Sequence, residues 1–212
     1  MRTVSEAIAF TPQRIIIIGG GPGGYEAALV AANLGADVTI IEEQGLGGSA
    51  VITDVVPSKT LIASADTMNR FSEAPALGIR TRAGDELVEL EVHIDKVNRR
   101  LLNLAQQQSK DIRRSLEKAG VKVIDGTGRM LDEHTVEVRD KQGLTYELDT
   151  HAVLLSVGAH PRELDTAKPD GERIFNWKQL YQLKEVPEHL IVVGSGVTGA
   201  EFASAYRGLG AE

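Results

Sequence analysis

Arg14-Ile15-Ile16-Ile17-Ile18, a strand-like run, leads directly into Gly19-Gly20-Gly21-Pro22-Gly23-Gly24. A helical stretch and a second apolar run, Val38-Thr39-Ile40-Ile41, follow, and Glu42 closes that run 23 positions after Gly19. Strand, glycine turn, helix, strand and acidic residue, in that order, are the pattern of a dinucleotide-binding βαβ unit. Each part has a physical task. Gly19 allows a tight turn where a side chain would clash, and Gly21 lets the backbone approach a pyrophosphate closely. Gly24 lets the helix pack on the strand, while the helix N-terminus offers N–H groups and the positive end of its dipole. Glu42 is placed to accept both ribose hydroxyls, and its charge would repel a 2′-phosphate. The competing reading is a parallel βαβ unit whose glycines serve only to turn the chain.

The pattern recurs. His189-Leu190-Ile191-Val192-Val193 leads into Gly194-Ser195-Gly196-Val197-Thr198-Gly199, followed by a helix through Phe202 to Leu209. Leu34-Gly35-Ala36-Asp37 ends the first helix and Leu209-Gly210-Ala211-Glu212 the second, each with a glycine suited to release the chain from helical geometry. After the first ending a strand follows at once; the second coincides with the last residue given. Two such units imply two nucleotides exchanging electrons, and the second, halted partway, makes the chain read as a fragment of a longer protein.

Composition narrows the alternatives. The 212 residues are 42% hydrophobic and 25% charged, ordinary for a globular protein, and no apolar run approaches membrane-span length. A net charge of −7 without a basic patch argues against a nucleic-acid partner. There is no cysteine, which removes disulfide scaffolds, thiol redox chemistry and cysteine-bound metals together. The histidines, His93, His134, His151, His160 and His189, lack metal-ligand spacing, so no metal site is expected. Residues 1–13 read as an N-terminal extension without the features of a signal peptide, and cytoplasm is the expected compartment.

Between the glycine units, Pro57–Asn69 and Val97–Ala119 show helical apolar periodicity, and Gly78–Asp85 reads as a surface loop. Val121–Ile124 begins a strand. Thr135–Val138 and Leu144–Leu148 alternate across Asp140-Lys141-Gln142-Gly143 as a hairpin. Ala152-Val153-Leu154-Leu155, closed by Gly158, reads as a buried parallel strand. Gly126-Thr127-Gly128 reads as a plain turn preceding the hairpin. Pro161, Pro169, Asp170-Gly171 and Pro187 mark residues 159–188 as a linker, with Trp177 a packing anchor in it. The fold class is α/β: a Rossmann-like domain over 14–158, with a parallel sheet and a β-meander, then the linker, then the start of a second Rossmann-like domain over 189–212.

The order of glycine unit, Gly47-Gly48, Pro57-Ser58-Lys59, hairpin, Ser156-Val157-Gly158 and second glycine unit resembles the pyridine nucleotide-disulfide oxidoreductases, the family of dihydrolipoamide dehydrogenase and glutathione reductase. The resemblance implies FAD in the first fold, at Gly19, Gly21, Gly24, Glu42, Gly47, Gly48, Lys59, Gly128 and Gly158. It implies NAD(P)H in the second, at Gly194, Gly196 and Gly199. It also implies that Lys59 lies beside the flavin's reactive nitrogen, paired with Glu201 as catalytic residues. Read without the resemblance, Lys59 is a solvent-facing helix residue and Glu201 a surface charge near a helix start.

One departure from the family pattern decides the chemistry. The family carries two redox cysteines between Gly-Gly and Pro-Ser-Lys; Ala50 and Val55 stand in their places. Neither can form a thiolate or a disulfide. What remains is similar to the cysteine-less NAD(P)H:quinone reductase branch, whose flavin passes electrons directly to a quinone-like acceptor, with a homodimer expected at full length. The alternative is a truncated or non-catalytic FAD-binding remnant of a dihydrolipoamide dehydrogenase-like protein.

Overall fold

The structure, a computed structural model, describes residues 12–79 and 90–212. Most of the expected extension over 1–13, and residues 80–85 of the expected surface loop, lie outside the described residues. The chain divides into two compact units, residues 1–48 with 109–158 and residues 49–108 with 159–212.

The first unit is built on one six-stranded sheet. Its strands are β1 (Arg14–Ile18), β2 (Asp37–Glu42), β3 (Lys122–Met130), β4 (Thr135–Asp140), β5 (Thr145–Asp149) and β6 (Ala152–Leu155), in the order β5-β4-β3-β2-β1-β6. β1 pairs in parallel with β2 on one side and β6 on the other, β2 pairs in parallel with β3, and β3-β4-β5 run antiparallel as a meander. The helix α1 (Pro22–Asn33) makes the β1-to-β2 crossover. Alternation along β1 explains why its isoleucines are continuous. Ile17 packs with Val38, Ile40, Ala28 of α1 and Leu116, while Ile16 and Ile18 pack with Ile41, Val136 and Val138. Both faces of β1 are thus covered beyond its exposed first residue, Arg14, one by helices and the other by the meander, so positions 15–18 call for no polar side chain.

Two expectations change here. Gly126-Thr127-Gly128 is not a turn but the middle of β3, at the point where the strand leaves β2 (Glu42 opposite Asp125) and joins β4 (Gly126 opposite Asp140). A Cβ on Gly126 would lie 2.3 Å from the Arg139 carbonyl oxygen, and one on Gly128 would lie 3.1 Å from Ile41 Cδ1. These glycines let one strand change partners at close quarters. The apolar run Ala152–Leu155 is a parallel strand as expected, but not a buried one. It is the sheet's edge, and Leu154 and Leu155 are 40% and 58% exposed.

The second unit is mainly helical. α2 (Gly48–Ile52) leads into α3 (Val55–Glu73), longer at both ends than its apolar stripe predicts. α4 (Ile94–Lys118) places Ile94 and Leu101 in this unit's core, and its last turns carry Ile112 and Leu116 into the core of the first unit. α5 (Val197–Gly208) packs on α3 closely enough that a Cβ on Gly208 would sit 3.1 Å from Ala65 Cβ. The core joins Leu61, Ala65, Phe202 and Tyr206 with Leu180 and Tyr181. Residues 159–188 therefore do more than connect. Leu180 and Tyr181 of the short 3₁₀ helix Gln179–Gln182 are buried, and Trp177 packs against the same cluster. The expected strand His189–Val193 is not formed; Ile191 and Val193 are 89% and 82% exposed. A strand requires a ladder, and only its first rung is present: Glu212 N–H donates to the Glu188 carbonyl (2.8 Å) and Leu190 N–H to that of Glu212 (2.9 Å).

The partner switch in β3 yields a stability prediction. Gly126→Ala drives a methyl into backbone atoms and is expected to cost about 1–3 kcal/mol, whereas Gly128→Ala meets only movable side-chain methyls and should cost less. Urea midpoints of the two variants check the order.

Candidate functional site

In the first unit the glycine turn is built by close backbone approach. Gly19 has φ +101°, its N–H donates to the Ile41 carbonyl (2.9 Å), and a Cβ there would lie 2.1 Å from the Ser156 carbonyl oxygen. A Cβ on Gly24 would lie 2.0 Å from the Gly19 oxygen, so α1 starts against the turn only because residue 24 has none. Gly47 N–H donates to the Gly20 carbonyl (2.7 Å), and a Cβ on Gly48 would fall 2.7 Å from Gly21 Cα. The second glycine pair therefore lies directly beside the first. Gly158 has φ +70° and open space around its Cβ position.

Glu42 ties these loops together. The residue is 8% exposed; its Oε2 accepts from Gly20 N–H (2.6 Å), and its Oε1 from Gln44 N–H (2.6 Å) and Gly45 N–H (3.0 Å). A carboxylate has about four acceptor sites, so three backbone donors leave about one, on Oε2. The expectation that Glu42 accepts two ribose hydroxyls meets a carboxylate already engaged in shaping the turn.

The start of α1 suits an anion. Its N-cap is Gly21, with no side-chain capping bond and no acidic residue in the first turn, and a Cβ on Gly21 would find only Gly48 Cα, at 3.9 Å. N–H groups and dipole are left unanswered by the helix's own side chains. These features fit the diphosphate of a dinucleotide.

In the second unit the glycine turn repeats. Gly194 has φ +123°, a Cβ on Gly199 would lie 2.3 Å from the Gly194 oxygen, and Gly196 caps α5 without a side-chain bond. Both helices also end alike. Gly35 and Gly210 have φ +89° and +108°, and the N–H groups of Ala36 and Ala211 return to the carbonyls of Ala31 and Tyr206. Around Gly194 and Gly196, however, a Cβ would meet nothing.

The same unit brings Lys59 of α3 to Glu201 of α5, 142 residues away, in an ion pair between Nζ and Oε1. The Lys59 side chain is 53% exposed and that of Glu201 20%. The hydrogen bond from Lys59 holds the Glu201 carboxyl below the usual carboxylate range against the opposing effect of burial, and the Ser58 hydroxyl reinforces it. Ser58 Oγ donates to Glu201 Oε2 (3.1 Å). Ser58 is the participant that sequence reasoning missed. Its only signal is its place before Lys59, and hydroxyl residues in helices ordinarily bond their own backbone. At the two cysteine positions of the family pattern, Ala50 is partly buried and Val55 is 47% exposed.

Comparison with known proteins agrees with this arrangement. Residues 13–212 match the model of the family described as pyridine nucleotide-disulphide oxidoreductase. The chain is 47% identical over 206 residues to an NAD(P)H dehydrogenase (quinone) of Mycobacterium tuberculosis, covering 93% of this chain and 41% of that protein. It is 32% identical over 198 residues to a dihydrolipoyl dehydrogenase of Zymomonas mobilis, again covering 93% and 41%. Among solved structures, LpdA from M. tuberculosis superposes with a TM-score of 0.85 at 45% identity, covering 94% of this chain and 43% of that one. The chain spans about two-fifths of the length of the curated relatives it matches. On a match that takes in nearly every residue and both glycine turns, the chain belongs to the pyridine nucleotide-disulphide oxidoreductase family.

Proposed function

We propose that the protein carrying this sequence is an FAD-dependent NAD(P)H oxidoreductase that passes electrons to a quinone-like acceptor without a redox disulfide. The observation that carries this reading is the pairing of a retained nucleotide cradle with Ala50 and Val55 at the positions of the family's two cysteines. The likeness to a relative named NAD(P)H dehydrogenase (quinone) supports it. Bound FAD would supply a carrier that accepts a hydride equivalent from a nicotinamide and releases two electrons. The chain's own residues bind and orient. Gly19, Gly21 and Gly24 admit the diphosphate to the start of α1, with Gly47, Gly48, Gly128 and Gly158 completing the FAD-binding set. Glu42 holds the turn and keeps one acceptor position for a ribose hydroxyl. Gly194, Gly196 and Gly199 serve the nicotinamide nucleotide. Lys59 supplies positive charge to an electron-rich group, and Glu201 keeps that charge hydrogen-bonded. With no thiol at positions 50 and 55 to relay electrons, the acceptor must reach the cofactor itself.

A cytoplasmic homodimer accompanies this reading. Among the described residues no helix is long and apolar enough to cross a membrane.

Two outcomes are expected. The full-length protein purifies yellow and releases FAD on heat denaturation. Glu42→Arg removes the acceptor kept for the ribose and places a cation there, and losing that charged hydrogen bond is expected to weaken FAD binding by roughly 1.5–3 kcal/mol. Flavin-fluorescence titration reads this as weakened binding, and a colourless protein that FAD cannot reconstitute would refute the assignment. In steady-state assays the protein oxidises NADH or NADPH with a quinone or dye acceptor and leaves lipoamide and glutathione disulfide unreduced. Appreciable disulfide reduction would overturn the reading.

A further inference from the structure

α3 carries five hydroxyl side chains, and four behave alike. Thr60, Ser64, Thr67 and Ser72 donate to the carbonyls of Val56 (2.8 Å), Thr60 (3.1 Å), Ala63 (2.9 Å) and Met68 (3.2 Å), each one turn back in the helix. Ser58 departs from this pattern. The Asp54 carbonyl one turn back accepts the Ser58 backbone N–H (2.7 Å), and the Ser58 hydroxyl reaches across to Glu201 Oε2 on α5. Ser58 is only 2% exposed, so its hydroxyl has little recourse to water and takes its partner within the protein.

We propose that Ser58 is a positioning residue that fixes the orientation of the Glu201 carboxylate and so determines which oxygen Lys59 receives. A carboxylate on the two-carbon stem of glutamate rotates readily about its last torsion. With Oε2 held from the buried side by Ser58, Oε1 is presented to Lys59, the half-exposed partner. An ammonium has three donors, so pairing with one oxygen leaves two for a ligand. Lys59 and Glu201 face one another, with the Asp54 carboxylate nearby; the Tyr181 phenol is neutral, its ionisation pushed up by burial and by Asp54, Tyr206 and Glu201. The consequence for electron transfer rests on the function proposed above, but the positioning itself does not.

The test follows the Glu201 carboxyl by NMR in glutamate-labelled protein as pH is varied. In the wild type the midpoint lies below the ordinary carboxylate range. Ser58→Ala is expected to move it up toward that range with Lys59 still present, and Ser58→Thr, which keeps the hydroxyl, to return it toward the wild-type value. A purely structural serine would leave the midpoint in place in a folded Ser58→Ala protein, and that result overturns the proposal. Should Ser58→Ala not fold, the wild type alone decides. A Ser58 hydroxyl proton in slow exchange whose chemical shift follows the Glu201 titration supports the proposal, and a hydroxyl resonance indifferent to that titration refutes it. FAD binding is measured separately, so failure of the functional reading and failure of the positioning role give different results.

Discussion

The carboxylate of Glu42 organises the first unit's nucleotide turn. It sits at the end of β2, accepts from Gly20 across the turn, and accepts from Gln44 and Gly45 on its own side. Without such an acceptor, three backbone N–H groups in a largely buried corner would lose their partner, which is costly for each. The glycine turn is therefore not a flexible loop awaiting a ligand. The pairing of Gly47 with Gly20 and the contact of Gly48 with Gly21 follow from the same constraint, since they need the two loops side by side. A negative charge this close to the uncapped start of α1 has a further effect: the turn is shaped by a carboxylate, while the phosphates of the proposed cofactor would be drawn to that helix end.

Much of this was legible in the sequence because it is steric and local. Gly24 and Gly199 are glycine for reasons that one turn's backbone dictates, Gly19 takes a positive φ in that turn, and Gly35 and Gly210 end helices by theirs. The hairpin across Asp140–Gly143 was equally readable, since alternation and turn chemistry agree there. Longer-range conditions were not. Whether Ala152–Leu155 is buried depends on what lies beyond it, and apolar composition cannot report that. His189–Val193 has strand composition but only one ladder rung, and composition does not supply a neighbour. Gly126 and Gly128 were read as a turn because glycine signals both a reversal of the chain and a close crossing within a strand. The Lys59–Glu201 contact was anticipated through a resemblance rather than from spacing. Ser58's part in it could not be, because a serine's choice between its own helix and a neighbouring one is made by tertiary packing.

The repeated βα unit shows how much of the motif is self-contained. Both copies close the same carbonyl approach at Gly24 and Gly199 and end their helices with the same returning bonds. They differ in surroundings. In the first, a Cβ on Gly19 would meet the Ser156 carbonyl just past β6, whereas one on the corresponding Gly194 would meet nothing within 4 Å. The turn and helix are formed in both copies, and the strand leading into the turn is formed only in the first. Hydrogen-bond ladders need partners, while steric turns carry their requirements with them.

The position of β1 between β2 and β6 has a consequence for synthesis. β1 starts at residue 14, yet the His151 backbone and side chain that bond Arg14 lie 137 positions later, at the entrance to β6. The meander that closes the second face of β1 also comes after residue 121. At roughly 5–20 residues per second, the first strand and its glycine turn leave the ribosome on the order of ten seconds before the strands that enclose them. During that interval Ile16 and Ile18 have no cover from the meander. The most recognisable segment of the chain is thus made well before it is sealed, and its isoleucines are an apolar target for a nascent-chain chaperone during that interval.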